Sequence, residues 1–275
     1  MRQTENKRNV PDVFTCEDGT QIRTKEEWFT KRRPELLELF RKEEYGRLPD
    51  MREVEVRFRV ADIREGTGIM AGEAIRKTIE VEAVRKGRSF IFNFVLFIPK
   101  GLEKSAPVFV VVCNRGIKDS DPARHFLSPF YPAETIVSRN YACAAFRTQE
   151  VAPDYEEGFT TGFHRLFPEY AASGADLADG GWEKTKRPAD AWGAISAWAW
   201  AASCLMDYFE QDPMIDEKRA AVVGHSRGGK TALWCAAQDE RYAMAVSSCA
   251  GNSGDALARG SKGEKNQRYC KKISY

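Results

Sequence analysis

Residues 220–230 read AAVVGHSRGGK, and this stretch decides the fold of the chain. The four apolar residues at its start predict a buried strand, and a helix-compatible segment follows from Gly229 to Gln238. The G-x-S-x-G pattern between them is typical of a nucleophile elbow, a turn too tight for side chains at the flanking positions. Such a turn raises the Ser226 hydroxyl above the sheet, near backbone N–H groups at the start of a helix. The alternative is a glycine-rich turn with an exposed serine, but the strand before it and the helix after it favour the elbow.

An elbow serine needs an imidazole to take its proton, and in this arrangement the imidazole comes from the part of the chain that follows the serine. No histidine follows Ser226, because the three in the chain are His125, His164 and His225. We expect none of them to be the base. Consecutive side chains on a strained turn diverge, so His225 is expected to line the pocket, and the other two precede the nucleophile.

Length, composition and charge favour one globular α/β domain. The chain has 275 residues, 43% of them hydrophobic and 30% charged, which is typical of a soluble protein with a deep core. Its 42 basic and 40 acidic residues nearly cancel, which argues against nucleic acid or an anionic membrane as a partner. No apolar run reaches membrane length and no metal or cofactor motif is present, so we expect neither a metal nor a cofactor. Without a visible signal peptide the sequence predicts a cytoplasmic protein, or a secreted or periplasmic one if a leader precedes it.

The seven cysteines are predicted to be reduced and packed in the core. Their number is odd, no C-x-x-C occurs, and most of them lie inside apolar runs. They are Cys16, Cys113, Cys143, Cys204, Cys235, Cys249 and Cys270.

Short, continuous apolar runs predict the strands of a parallel sheet that is buried on both faces. These runs are residues 108–113, 142–146, 220–223 and 243–247. Elsewhere the pattern predicts helices at 33–45 and 188–210, an edge strand at 54–60 and a long strand at 89–98. The alternation of strand and helix with right-handed crossovers predicts a doubly wound, mostly parallel α/β sheet, incomplete at its C-terminal end.

Two loops, at residues 114–131 and 147–181, leave the strand ends at which such sheets bind ligands. The second is either a binding lid or a variable surface excursion, because it is long and interleaves polar residues with aromatics. The notable residues in this loop are Gln149, Glu150, Asp154, Glu156, Glu157, His164 and Glu169, and Trp182 follows directly after it. No linker or repeat divides the chain, so we expect a single domain over residues 1–275, with an N-terminal helical segment at 1–50 and an insertion over the site at 147–181.

Several motifs together give the chain a family likeness. Residues 224–230 (GHSRGGK) are preceded by RPADAWG at 187–193 and followed by QDERYA at 238–243; further segments are RPELL at 33–37, EYGRLP at 44–49, APDY at 152–155 and EGF at 157–159. They resemble the bacterial branch of the glucuronoyl esterases, carbohydrate esterase family 15, whose relatives are often labelled acetyl xylan esterases. The likeness covers nearly the whole chain up to Glu264. Its Ser-Arg-x-Gly-Lys pattern is far more discriminating than G-x-S-x-G, because most elbow serines are not followed by both cations.

The resemblance implies an α/β-hydrolase fold and a role for three residues. Ser226 would be the nucleophile that attacks the ester carbonyl, and Arg227 would stabilise the oxyanion through its backbone N–H and its guanidinium. Lys230 would hydrogen-bond to sugar hydroxyls. A cation at the start of a helix opposes the helix dipole, so Arg227 needs such a reason to be there. The alternative for Lys230 is a solvated surface lysine.

Two departures from the family concern the residues that would assist Ser226. In the best-known members the acid that orients the histidine follows the next strand, and Cys249 stands at that position here. Other relatives take the acid from a later strand, and the family's histidine lies later still. The chain ends at Tyr275, so we expect it to be truncated at its C-terminus. The polar residues 265–275 match nothing in the family and are expected to be a non-native tail, which a shifted reading frame would produce.

These observations favour a serine hydrolase that acts on a carboxylic ester of a plant cell-wall carbohydrate, such as a 4-O-methyl-glucuronoyl ester. For lack of the histidine, the chain itself is expected to be inactive. A second hypothesis is an acetyl xylan esterase or another small-ester hydrolase, because the elbow alone does not select the substrate. A third is a non-catalytic carbohydrate-binding remnant. The expected partner is the carbohydrate ester, and the oligomeric state is left open.

Overall fold

A seven-stranded mixed sheet organises the chain. A computed structural model describes residues 10–155, 159–171 and 187–256. The strands, in chain order, are β1 (Glu55–Arg64), β2 (Ala74–Arg85), β3 (Arg88–Pro99), β4 (Ala106–Cys113), β5 (Ala142–Arg147), β6 (Ile215–His225) and β7 (Met244–Ser248). They lie across the sheet in the order β1-β2-β3-β5-β4-β6-β7. Several positions named in the sequence predictions lie outside the described residues, namely Glu156, Glu157, Trp182, Cys270 and the tail at 265–275.

Strands β4 to β7 form the parallel half of the sheet. β4 pairs in parallel with β5 on one side and with β6 on the other, and β6 pairs in parallel with β7. Alternate residues of β4 and β5 enter two separate hydrophobic clusters, one on each face, which is why both strands are apolar except at Arg147, the last residue of β5. Each predicted apolar run forms one of these four strands. The predicted doubly wound α/β sheet is therefore confirmed.

Three antiparallel strands extend the sheet on its other side. β1 pairs with β2, β2 with β3, and β3 with β5, all antiparallel. β1 is the edge strand expected at 54–60, and β3 contains the strand expected at 89–98. β2 was not predicted from the sequence, although its inward residues Ile79, Val81 and Ala83 are fully buried. Glu80 and Glu82 alternate with them, so β2 has the period of a strand that buries one face.

Helices pack against both halves of the sheet. In the described residues the α-helices are α1 (Lys25–Glu27), α2 (Arg33–Phe40), α3 (Ala133–Val137), α4 (Thr148–Val151), α5 (Ala194–Phe209) and α6 (Arg227–Gln238). Shorter 3₁₀ turns occur at Met51–Glu53, Met70–Gly72, Ile117–Ser120, Gly162–Leu166 and Pro168–Tyr170. Almost every residue of α5 is buried, so this helix lies inside the core rather than on its surface.

Helix α5 begins later than the sequence pattern predicts. The predicted helix covers residues 188–210, whereas α5 starts at Ala194. The segment before it is held in a loop, because the backbone N–H of Arg47 donates to the carbonyl of Asp190 at 2.7 Å and Arg47 forms a β-bridge with Ala191. A contact made by residues more than a hundred positions away thus overrides the local helical pattern.

The N-terminal helix begins earlier than predicted. The expected start at Arg33 is wrong, because Thr24 caps a helical segment that begins at Lys25. The Thr24 hydroxyl accepts from the N–H of Glu27 at 3.1 Å, and the Glu27 carboxylate accepts from the N–H of Thr24 at 3.2 Å. Two π-helical segments, Trp28–Arg32 and Arg41–Tyr45, continue the helix on either side of α2 to its expected end.

The described cysteines are reduced, and most of them lie in the core. Five are buried free thiols, at Cys16, Cys113, Cys143, Cys204 and Cys235. Cys249 departs from the prediction, because its thiol is exposed in the loop after β7. No helix within the described ranges is both long and apolar enough to cross a membrane.

Candidate active site

The turn between β6 and α6 has the conformation of a nucleophile elbow. Ser226 adopts φ 55° and ψ −124°, a strained backbone for a residue with a side chain, and α6 begins at the next residue. A Cβ atom on Gly224 would lie 2.1 Å from the carbonyl oxygen of Gly228, so no other residue fits there without moving the backbone. The expected elbow geometry is confirmed, and the role of Ser226 as nucleophile stays a prediction.

Hydrogen bonds hold this strained turn from two neighbouring strands. The N–H of Ser226 donates to the carbonyl of Ser248 at the end of β7, at 2.8 Å. The side-chain amide of Asn114, which follows β4, donates to the carbonyl of His225 at 3.1 Å. The elbow is therefore fixed to the carboxyl ends of both strands that flank β6.

Arg227, the residue after the serine, forms an ion pair with Asp154. The Asp154 side chain is 7% exposed and that of Arg227 is 34% exposed. Burial raises the pKa of the Asp154 carboxyl, and the positive charge of Arg227 opposes that rise. From the sequence, Asp154 was one of the polar residues of the 147–181 loop and had no predicted partner. Its position within the APDY motif at 152–155 was the only signal that pointed to it.

Lys230 lies in the first turn of α6 and is only 2% exposed. The alternative that it is a solvated surface lysine is therefore wrong. A lysine taken out of water needs a polar partner or a ligand, which is compatible with the sugar-binding role that the family likeness implies. That role stays a prediction.

His225 contacts the loop at residues 114–131. Its ring meets the ring of Phe130 edge to face, with the centroids 6.0 Å apart, and the guanidinium of Arg115 lies 5.1 Å from the centroid of Phe130. This loop thus contributes aromatic and cationic groups beside the elbow. No hydrogen bond joins His225 to the Ser226 hydroxyl, as expected for neighbours on a strained turn.

The other two histidines lie in environments that do not suit a general base. The side chain of His125 is exposed to solvent. His164 is buried and stacked on Trp192, with ring centroids 4.2 Å apart. Burial lowers the pKa of His164 to about 3, so its imidazole is too weak a base to take the proton of a serine at ordinary pH. Among the described residues, no histidine is hydrogen-bonded to Ser226.

The loop after β7 occupies the place where the family likeness puts an orienting acid. Cys249 stands there with a positive φ of 51° and an exposed thiol. Asp255, which no sequence motif indicated, folds back into this loop. Its carboxylate accepts from the N–H groups of Ala250 and Gly251 at 3.1 and 2.9 Å and from the hydroxyl of Ser247 at 3.2 Å. These hydrogen bonds lower the pKa of Asp255 and shape the loop beside the elbow.

No metal site accompanies this geometry in the part of the chain that the structure describes. No group of three or more His, Cys, Asp or Glu side chains lies close enough there to hold an ion. The groups that surround the elbow are a hydroxyl, two cations and a buried carboxylate. Such a set is suited to nucleophilic chemistry on a substrate that develops negative charge.

Known proteins with similar sequences are carbohydrate esterases. The sequence model of the family "Glucuronyl esterase, fungi" matches residues 183–274, so the expectation that the tail at 265–275 matches nothing in the family is wrong. The carbohydrate esterase MZ0003, from an unknown prokaryotic organism, is 31% identical over 95% of this chain and 63% of its own length. The 4-O-methyl-glucuronoyl methylesterase 1 of Phanerochaete chrysosporium is 25% identical over 94% of this chain and 46% of its own. The chain thus spans about half to two thirds of the length of these relatives.

Solved structures carry the same likeness. The glucuronoyl esterase from Solibacter usitatus has a TM-score of 0.80 and is 27% identical, over 96% of this chain and 69% of that one. A promiscuous CE15 esterase from a marine bacterial metagenome has a TM-score of 0.73 and is 30% identical, over 94% of this chain and 68% of that one. Sequence, fold and elbow geometry agree over nearly the whole chain, which therefore belongs to carbohydrate esterase family 15, the family of the glucuronoyl esterases.

Proposed function

We propose that this protein is a serine hydrolase of carboxylic esters, with Ser226 as its nucleophile. The strained elbow carries the proposal, because it presents the Ser226 hydroxyl beside the start of α6 and beside Arg227. In the reaction the Ser226 oxygen bonds to the ester carbonyl carbon and the alcohol leaves with a proton. Water then hydrolyses the acyl-enzyme and releases the acid. The guanidinium and backbone N–H of Arg227 would stabilise the oxyanion of each step.

The proposed substrate is an ester of a uronic acid in plant cell-wall carbohydrate, such as a 4-O-methyl-glucuronoyl ester. Two relatives named above are a glucuronoyl esterase and a 4-O-methyl-glucuronoyl methylesterase. The buried Lys230, one helical turn from Ser226, supports a site for an acyl group rich in oxygen acceptors. Arg227 adds a second cation at the same turn. The Ser226→Ala variant provides the control for any hydrolysis observed.

The first prediction concerns the rate of the 275-residue chain. No histidine follows Ser226 in it, so we expect hydrolysis of a glucuronate methyl ester to be slow. Oxyanion stabilisation and binding alone leave a rate of about a thousandfold over water in triad enzymes that lack the base. Product acid would be followed by chromatography for the chain and for Ser226→Ala. Turnover typical of an intact esterase, lost in Ser226→Ala, would contradict the absence of a base.

A broader ester specificity is the second candidate, because one similar structure is that of a promiscuous CE15 esterase. The rates of hydrolysis of a glucuronate methyl ester, p-nitrophenyl acetate and acetylated xylan distinguish a glucuronoyl esterase from a small-ester hydrolase. Preference for the acetyl esters would favour a small-ester hydrolase. Binding of glucuronate without any acid release dependent on Ser226 would instead favour a carbohydrate-binding protein.

A further inference from the structure

A buried carboxylate and a half-buried guanidinium meet at the elbow. Asp154 and Arg227 are 73 positions apart in the chain, and each is the other's only side-chain partner among residues 10–155, 159–171 and 187–256. A carboxylate taken out of water is unfavourable unless a cation compensates it. Arg227, in turn, stands at a helix start, where a positive charge is unfavourable. The pair therefore stabilises two groups that would each be poorly placed alone.

Hydrogen bonds anchor the segment that carries Asp154 to the core. Ala152, two residues before it, accepts a hydrogen bond from the indole of Trp198 in α5 at 2.9 Å. The N–H of Ala152 donates to the carbonyl of Thr148 at 2.9 Å, which closes α4. Pro153 restricts the backbone between them and Asp154. Asp154 thus extends from a fixed part of the core toward the elbow, whereas Arg227 has a long, flexible side chain.

We propose that Asp154 is a positioning residue for Arg227: its carboxylate holds one guanidinium nitrogen, so that the remaining N–H groups face the oxyanion formed when Ser226 attacks an ester. A guanidinium has five N–H donors in a planar fork, and one nitrogen bound to Asp154 fixes the direction of the others. Without the carboxylate, the guanidinium would sample many orientations, and the negative charge on the carbonyl oxygen would form before a donor reached it. This inference rests on the proposed function of Ser226.

The role of Asp154 can be measured in the acylation step alone. The Ser226 oxygen bonds to the acetyl carbon of p-nitrophenyl acetate, the carbonyl electron pair moves to oxygen, and hydroxide takes the serine proton at alkaline pH. The intermediate then expels p-nitrophenolate and leaves acetyl-Ser226. Because a chain without a histidine base owes its residual rate to oxyanion stabilisation, this rate reports directly on Arg227 and on what holds it.

The experiment measures the rate constant of p-nitrophenolate release and locates the acetyl group by mass spectrometry. Arg227→Ala is expected to lower the rate about a hundredfold, as loss of one oxyanion donor does. Asp154→Asn, with nearly the same shape, is expected to lower it about tenfold or more. The double variant is expected to be no slower than Arg227→Ala, because both changes remove the same interaction. Asp212→Asn, which changes another buried aspartate at the opposite end of β6, is the matched control and is expected to retain the full rate.

Chemical rescue separates positioning from a structural role. Methylguanidinium at millimolar concentration should restore acylation in Arg227→Ala, since Asp154 remains there to hold the added cation. It should fail in Arg227→Ala with Asp154→Asn. If the Asn variants do not fold, Asp154→Glu keeps the charge on a longer side chain, and rescue should then need a higher methylguanidinium concentration.

Three results would overturn the inference alone: an unchanged rate in folded Asp154→Asn, undiminished rescue in the double variant, or an unchanged concentration dependence with Asp154→Glu. In each of these cases Ser226 is still acetylated. Absence of acetyl-Ser226 in the unchanged chain would instead overturn the proposed function, and the inference with it.

Discussion

The backbone around Ser226 is packed too closely for a side chain at Gly224. A methyl group on Gly224 would meet the carbonyl oxygen and carbon of Gly228 at 2.1 and 2.2 Å, and both atoms belong to the main chain. No rotamer change relieves such a contact. The turn must open, which would displace Ser226 and weaken the hydrogen bond that its N–H donates to the carbonyl of Ser248.

We therefore expect Gly224→Ala to destabilise the fold by about 3 kcal/mol, at the upper end of what overpacking costs. Gly68→Ala is the control, because a methyl group there meets nothing within 4 Å. Denaturant unfolding of both variants measures the difference. Equal stability of the two would show that the elbow is more adaptable than its contacts indicate.

His164 makes the stability of the protein depend on pH. It is buried against Trp192, and its Nε2 and the indole nitrogen of Trp192 have no hydrogen-bond partner among the residues that the structure describes. The folded pKa is about 3, whereas the unfolded value is about 6.5. Below pH 6.5 the unfolded chain therefore binds a proton that the folded protein does not. The free energy of unfolding falls by about 1.4 kcal/mol per pH unit from this group, down to about pH 3.

His164→Phe should remove the part of the pH dependence of unfolding that comes from this histidine. Unfolding in urea at pH 7, 6 and 5 would show a smaller decline for His164→Phe than for the unchanged chain. His125→Phe, at an exposed position, should leave the decline unchanged. If the His164→Phe variant kept the full pH dependence, other groups would be responsible for it.

At the scale of elements, helix α5 supports the segment that leads to the site. The indole N–H of Trp198 donates to the carbonyl of Ala152 in the buried core. Trp200, on the same helix, stacks on Phe163 at 3.7 Å. Both rings are buried. Of the two, only Trp198 forms a hydrogen bond to the segment that carries Asp154.

We expect Trp198→Phe to cost about 1–3 kcal/mol more than Trp200→Phe, because it leaves the buried carbonyl of Ala152 without its donor. Thermal and urea unfolding of the two variants would measure this. Both lose the same indole ring atoms, so the comparison isolates the hydrogen bond. A cost for Trp200→Phe equal to or above that for Trp198→Phe would contradict it.

At the scale of the whole molecule, the two edges of the sheet differ in character. β1 carries charged residues along its length and forms one edge. β7 reads MAVSS and forms the other, with Met244 58% and Val246 37% exposed. Among the described residues no strand pairs with its outer side. Charges protect a strand edge from pairing with another chain, and β7 has none.

We therefore expect the 275-residue chain to self-associate through β7. Val246→Lys should shift it toward the monomer in size-exclusion chromatography and sedimentation, because a charge opposes pairing at that edge. Ile63→Lys, at the exposed and already charged β1 edge, should have no such effect. A monomeric unchanged chain with a cooperative melt, at the same concentrations, would contradict this expectation.

Local patterns in the sequence predicted much of this molecule. The apolar run at 220–223 and the glycines after it indicated β6, the elbow and α6, because these features depend on neighbours in the chain. The four buried parallel strands were predicted for the same reason. The motif around Ser226 and Arg227 carried the family likeness that the known relatives confirm.

The tertiary structure decided what depends on distant parts of the chain. It holds residues 187–193 in a loop against Arg47, where the local pattern continued the helix. It buries Lys230, which a helix pattern leaves undecided, and it pairs Arg227 with Asp154. A sequence pattern reports which residues are adjacent along the chain. Which charged side chain is buried, and which residue pairs with it, depend on how distant segments of the chain pack together. Only the tertiary structure determines that packing.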